Sequence, residues 1–226
     1  MDVDDYRYFF FDLDRTIWNW DDLIIGAADL IDSLRDADKQ VFFHTDNTLL
    51  SREGYARKLT EMGIPAEKEQ IMTSGYTAGK YLAGKDVTEV YAIGEQGLIE
   101  EIDERGIEVK KDADKVVAGF DRSFSYEKAK KAMKILENGG EVVLCGSERY
   151  FRTSQERMPN QGPFNRLVEE FGNSRMAGKP GQVFQDAFRD YFDYFPGRSV
   201  FIGDRLEDME TGNELGMTTV SVMSGQ

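Results

Sequence analysis

Four short polar clusters stand where apolar runs of this chain stop or a helical stretch begins. Phe11-Asp12-Leu13-Asp14-Arg15-Thr16 closes the run from Tyr8, and His44-Thr45-Asp46-Asn47 closes Val41-Phe42-Phe43. Gly178-Lys179-Pro180 precedes a helical pattern, and Gly203-Asp204-Arg205-Leu206-Glu207-Asp208 closes Ser199-Val200-Phe201-Ile202. In an open parallel sheet, ligands bind in the crevice beyond the carboxyl ends of the strands, where these clusters would converge. Crowding Asp12, Asp14, Asp204 and Asp208 together is costly unless a cation neutralises them. Carboxylates offer only oxygen, so the expected cation is hard, and Mg²⁺ is the natural choice. Lys179 adds a point charge and the Thr45 hydroxyl a hydrogen-bond donor. Such a set suits a phosphoryl group in transfer. A carboxylate attacking phosphorus would form an aspartyl-phosphate and split one slow hydrolysis into two easier steps. Taken singly, each Asp, Asn or Thr is equally at home as a helix cap or turn former, and Lys179 as a surface lysine. The weight lies in four clusters occurring in order.

Composition narrows the field. The chain has 226 residues, 40% of them hydrophobic, enough to build a real core. Asp plus Glu number 42 against 28 Lys plus Arg, a formal charge of -14. Such a surface repels nucleic acid and anionic lipid at long range, so neither is an expected partner, whereas a small phosphorylated molecule in one local pocket is. The single cysteine (Cys145) and single histidine (His44) cannot make a disulfide, a zinc site or a Cys-His dyad of recognisable spacing, and both are expected in or near the core. No apolar stretch approaches the roughly 18 residues of a membrane span. The start, Met1-Asp2-Val3-Asp4-Asp5, is acidic where a secretory signal is basic, so a cytoplasmic location is expected. Gly79-Lys80-Tyr81-Leu82-Ala83-Gly84-Lys85-Asp86 nearly spells a phosphate-binding loop, but Asp86 stands where Ser or Thr is required. The absence of Gly-x-Gly-x-x-Gly argues against a dinucleotide enzyme.

The elements that must position the clusters alternate short β-like runs with helical stripes, the pattern of an α/β sheet. Tyr8 to Phe11 and Val41 to Phe43 read as strands buried on both faces. Ile24, Ala27, Ala28, Ile31 and Leu34 form one helical stripe, and Ser51 is a candidate cap for a helix that stops at Gly63-Ile64-Pro65. Further stripes are Ala129, Ala132, Met133 and Leu136; Phe164, Leu167, Val168 and Phe171; and Phe184, Ala187, Phe188 and Tyr191, all expected in the core. Strands are expected at Ser199 to Ile202 and Thr218 to Val222. Between about Tyr76 and Gly162 lies a separate rhythm: strand Glu89 to Ile93, helix Gly97 to Glu104, strand Val116 to Ala118, helix Ser125 to Asn138 and strand Val142 to Cys145. It reads as an inserted αβ domain at 76–162, leaving 1–75 and 163–226 as the main domain.

With these motifs the sequence resembles the haloacid dehalogenase-like superfamily of aspartate-nucleophile phosphatases. The ordered matches are Asp-x-Asp-x-Thr at Asp12 to Thr16, Thr45, Lys179, and Gly-Asp-x-x-x-Asp at Gly203 to Asp208. The likeness is strongest to the NagD-like branch (subfamily IIA) of sugar-phosphate, nucleotide, 4-nitrophenyl phosphate and phosphoglycolate phosphatases. It is carried by Gly119-Phe120-Asp121-Arg122 with Tyr126-Glu127-Lys128, Gly178-Lys179-Pro180 and Gly203-Asp204-Arg205-Leu206, and it spans nearly the whole chain. The resemblance implies a Rossmann-like doubly wound parallel sheet with an α/β cap inserted at 76–162, and a phosphatase of small phosphomonoesters. It implies Asp12 as nucleophile and metal ligand, and Asp14 as general acid then base, its carbonyl also touching Mg²⁺. It further implies that Thr45, Asp46 and Asn47 hold phosphate, Lys179 neutralises charge, and Asp204 and Asp208 complete the metal shell. Relatives in the branch often dimerise through the cap, so a homodimer is implied as well.

The departures are specific. Arg15 stands where the family usually has Gly, Asp46 where it has Asn, and Cys145-Gly146-Ser147-Glu148 where the branch has Thr-Asn-Pro-Asp. The fourth motif is one residue shorter than the branch's Gly-Asp-Arg-Leu-x-Thr-Asp. Arg15 is expected to face solvent. Residues between Cys145 and Gln161 are expected to set specificity. The departures also motivate an alternative, a catalytically idle relative that binds a ligand or partner through its cap. A phospho-receiver domain is disfavoured by length and by the large insertion between Thr45 and Lys179.

Overall fold

The computed structural model describes residues 2–152 and 156–223, and the positions 153–155 of the expected specificity segment lie outside the described residues. The chain divides into two compact units: residues 1–45, 53–72 and 188–226 form one, and residues 46–52 and 73–187 the other. The architecture is α/β: parallel strand pairs build the main sheet of each unit, beside two short antiparallel pairs, Trp18–Asn19 with Asp22–Leu23 and Tyr150–Arg152 with Arg157–Pro159.

The first unit is built on a five-stranded sheet in the order Thr218–Ser221, Ser199–Gly203, Tyr8–Asp12, Gln40–Thr45, Ile71–Thr73. Tyr8–Asp12 pairs in parallel with Ser199–Gly203 on one side and Gln40–Thr45 on the other. The chain leaves this central strand in opposite directions, so the end carrying Asp12 is the topological switch point of the sheet. The strand is apolar on both faces because both are covered. Phe9 and Phe11 pack into a cluster with Leu13, Ile31, Leu34, Phe43, Leu59 and Val200. Phe10, on the other face, meets Phe42, Phe188, Phe192 and Tyr194 at centroid distances of 5.0, 4.8, 5.2 and 5.5 Å. The helix Ala27–Asp36 buries Ala27, Ile31 and Leu34, as its stripe predicts.

The second unit has its own five-stranded sheet, ordered Asn173–Met176, Glu141–Leu144, Lys115–Ala118, Glu89–Ile93, Glu108–Val109. The expected strands and helices at Glu89–Ile93, Gln96–Asp103, Lys115–Ala118, Tyr126–Glu137 and Glu141–Leu144 are all present. Ser125 caps its helix by accepting from the Lys128 amide at 3.3 Å. This unit reaches past the expected 76–162. Asn173–Met176 pairs in parallel with Glu141–Leu144, and the helix Gln161–Glu169 supplies Val168 to the same core. In that helix Leu167 is a correction: it was expected in the core and is 45% exposed, because the buried face turns through Gln161, Asn165 and Val168. The near-phosphate-loop at Gly79 to Asp86 overlaps the helix Ser74–Ala83, so its glycines lie in or next to a helix and form no open cradle. Among the described residues no helix is long and apolar enough to cross a membrane.

Candidate active site

Asp12 is the last residue of the central strand and is buried. The chain then turns tightly: the Arg15 amide donates to the Trp18 carbonyl at 2.6 Å, and Arg15 sits at φ +63°. That left-handed conformation explains why glycine is common at this position in the resembled family. Within the turn Asp14 is held from two sides. The Trp18 indole donates to Oδ1 and the Thr45 hydroxyl to Oδ2, each at 3.1 Å. Trp18 is itself wedged, stacked at 6.1 Å against Tyr55 with the Lys58 ammonium 4.7 Å from its ring. The carboxylate two residues beyond Asp12 is thus locked in one orientation by the neighbouring strand end.

Arg15 is a correction to the sequence reading. It is drawn onto a carboxylate instead of into solvent, its Nε lying 3.1 Å from Asp204 Oδ2 with the Arg15 side chain only 17% exposed. The two meet because the turn after the central strand lies beside the end of its partner Ser199–Gly203. Asp208 is fully buried and accepts from the Arg205 amide at 3.0 Å, capping the helix Leu206–Glu214. Its carboxylate lies against Gly203, where an added Cβ would stand 2.3 Å from Asp208 Cγ. The Gly-Asp pairing in the motif is therefore a packing requirement of the distant second acid.

Sequence reasoning assigned His44 to the core and missed its neighbours. It is fully buried, stacked on Phe201 at 4.1 Å, and its Nδ1 lies 3.6 Å from Asp12 Oδ1. Asp12, His44 and Asp208 each offer one ligand atom within 4.8 Å of the others. Two buried carboxylates and an imidazole gathered in this way are a donor set that suits a divalent cation, and the two carboxylates would repel each other as bare charges. The signal that could have found this is the strand register, which sets His44 directly beside Asp12.

Asp46, Asn47 and Lys179 belong to the second unit. The Asp46 carboxylate accepts from the Lys179 amide at 3.0 and 3.2 Å, and its carbonyl accepts from Ser74 Oγ and Gln161 Nε2, both at 2.9 Å. Gly178 must be glycine, since a Cβ there would meet the Cys145 carbonyl oxygen at 2.4 Å. Asn47 forms an Asx turn, accepting from the Leu49 amide at 3.0 Å. Lys179 is buried and does not lie on the surface. Cys145 is fully buried, and desolvation foremost, then the nearby Asp46 charge, drives its thiol far above the usual range, which makes it chemically inert at neutral pH. The structure thus gathers Asp12, Asp14, Thr45, Asp204 and Asp208 at the switch point of one sheet, and Asp46 with Lys179 in the other unit.

Comparison with known proteins places the chain among its relatives. A model for haloacid dehalogenase-like hydrolases matches residues 9–108, and a second, HAD-hydrolase-like model matches residues 176–226. The chain is 30% identical to the chloroplastic phosphoglycolate phosphatase 1A of Arabidopsis thaliana, over 99% of this chain and 70% of that protein. It is 27% identical to the 5'-nucleotidase YutF of Bacillus subtilis, over 97% and 88% of the two chains. Among solved structures it superposes on 4-nitrophenylphosphatase from Thermotoga maritima with a TM-score of 0.89 and 25% identity, covering 99% of this chain and 88% of that one. The chain belongs to the haloacid dehalogenase-like hydrolases. Within them it falls in the NagD-like branch and is a hydrolase of phosphomonoesters.

Proposed function

We propose that this protein hydrolyses small phosphomonoesters with Mg²⁺ through an aspartyl-phosphate on Asp12. The observation that carries the reading is the orientation of Asp14, fixed by Thr45 and Trp18 immediately beyond a buried aspartate at the sheet's switch point. An Asp12 oxygen attacks phosphorus, the ester P–O bond breaks, and the leaving oxygen takes a proton from Asp14. Asp14, now a carboxylate, takes a proton from water as the water oxygen attacks the same phosphorus, and the Asp12–phosphorus bond breaks to release inorganic phosphate. Thr45, Asp46 and Asn47 hold the phosphate, and Lys179 offsets its charge. Asp12, the Asp14 carbonyl, Asp204 and Asp208 would hold the divalent ion, which when bound stabilises the charge that develops on the phosphoryl oxygens. The inserted segment 76–162 plays the part of the cap, with the stretch from Cys145 to Gln161 selecting the substrate.

Relatives named as phosphoglycolate, glycerol-3-phosphate, 5'-nucleotide and acid sugar phosphatases define the substrates to test. Phosphate release is measured from one ester of each type and from 4-nitrophenyl phosphate, with Mg²⁺ and with EDTA. The proposal expects one class to exceed the rest by at least about tenfold in kcat/KM, a preference of ~1.4 kcal/mol, and EDTA to abolish all turnover. The Arg15–Asp204 ion pair favours one other reading, an idle ligand-binding relative, and the absence of metal-dependent turnover across the whole set would establish it.

A further inference from the structure

We propose that His44 is a direct ligand of the divalent ion, so that this chain's metal site is a mixed oxygen and nitrogen site that binds first-row transition ions more tightly than the Mg²⁺ with which it works. The inference rests on the divalent-ion part of the proposed function and goes beyond it in naming the ligand and the preference. His44 lies in strict register with Asp12 on the adjacent parallel strand, so the two side chains leave the sheet at the same level. Stacking on Phe201 with an 18° interplanar angle fixes the plane of the ring. The 3.6 Å between His44 Nδ1 and Asp12 Oδ1 is long for a hydrogen bond. Two ligand atoms on one ion, each at ~2.1 Å and 90–120° apart, are separated by roughly 3.0–3.6 Å. The pair is thus spaced as co-ligands, and Asp208 supplies a third atom within 4.8 Å of both.

Arg15 weakens an oxygen donor on the other side of the site. Its guanidinium already lies on Asp204, the acid that the family resemblance assigns to the metal shell. A carboxylate oxygen engaged by a guanidinium is a poorer donor to a metal, because the two cations compete for the same lone pairs and repel each other. Relative to a carboxylate-only shell, the site is weakened in oxygen at Asp204 and gains a nitrogen at His44. Imidazole nitrogen suits transition ions and adds little for Mg²⁺, which selects hard oxygen.

Because His44 is the sole histidine of the sequence, a ring label on histidine reports on it alone. Untagged protein is grown once with natural histidine and once with histidine labelled with ¹⁵N in the ring, and each is loaded with one equivalent of Mn²⁺ for pulsed EPR. The proposal expects a directly bonded ¹⁴N coupling that converts to the ¹⁵N pattern on labelling. It also expects Mg²⁺ to displace Mn²⁺ only at more than about tenfold excess, and at equal concentration or less in His44→Val. Bound Mn²⁺ with a spectrum indifferent to the label would overturn the role of His44 and leave the phosphatase reading standing. Failure of the protein to bind Mn²⁺ or Mg²⁺ at all would overturn both.

Discussion

Asp12→Asn is expected to lower kcat for 4-nitrophenyl phosphate by at least about 10⁴-fold, the scale seen when a covalent nucleophile is removed from an enzyme that depends on it. Asparagine has nearly the same shape, so Asp12 would be replaced in a strand whose neighbours, Leu13 and His44, keep their backbone hydrogen bond at 3.1 Å. Stability and secondary structure are therefore expected to hold, and the loss must be chemical. An amide oxygen is a far weaker nucleophile than a carboxylate and brings no charge to a divalent ion. Steady-state assays with circular dichroism as a folding control decide the matter. A folded variant retaining a tenth of the wild-type rate would remove Asp12 from the nucleophile's role.

The second large effect concerns stability. Phe10→Ala is expected to destabilise the first unit by about 3–5 kcal/mol, read from urea unfolding followed by intrinsic fluorescence. Phe10 is fully buried at the centre of the sheet and meets four aromatic rings within 5.5 Å. Its removal forfeits the transfer free energy of the ring, leaves a cavity that strand pairing on both sides prevents from collapsing, and breaks edge and stacked ring pairs. Those rings come from a neighbouring strand and from the segment Phe188 to Tyr194, so one substitution loosens the contact between distant parts of the chain. A cost below about 1 kcal/mol would mean that this cluster is not the structural centre of the unit.

Much of this frame is legible in the sequence, for identifiable physical reasons. Phe9-Phe10-Phe11 and Val41-Phe42-Phe43 announce themselves because strands buried on both faces must be apolar at every position. Asp12, Thr45 and Gly203-Asp204 are conspicuous because they interrupt such runs. The strand Asn173–Met176 is hidden for the opposite reason: as an edge strand it alternates exposed and half-buried residues and carries Asn, Ser and Arg, a composition that reads as loop. Glu108–Val109 is too short and too exposed to leave a pattern. Contacts between separate clusters are less legible still. The pairing of Arg15 with Asp204 depends on a left-handed turn lying beside another strand's end, which no local pattern encodes. The gathering of His44 with Asp12 and Asp208 depends on register, and a lone histidine after three apolar residues looks like core until that register is known.

The most direct test of the central claim is to catch the phosphoryl group on the protein. During turnover of a good substrate the reaction is quenched and reduced with borohydride, which converts an aspartyl-phosphate to homoserine, and the protein is digested and sequenced by mass spectrometry. The account predicts homoserine at position 12, dependent on substrate and absent from Asp12→Asn. Homoserine at another aspartate, or none in an enzyme that is turning over rapidly with a slow dephosphorylation step, would contradict it.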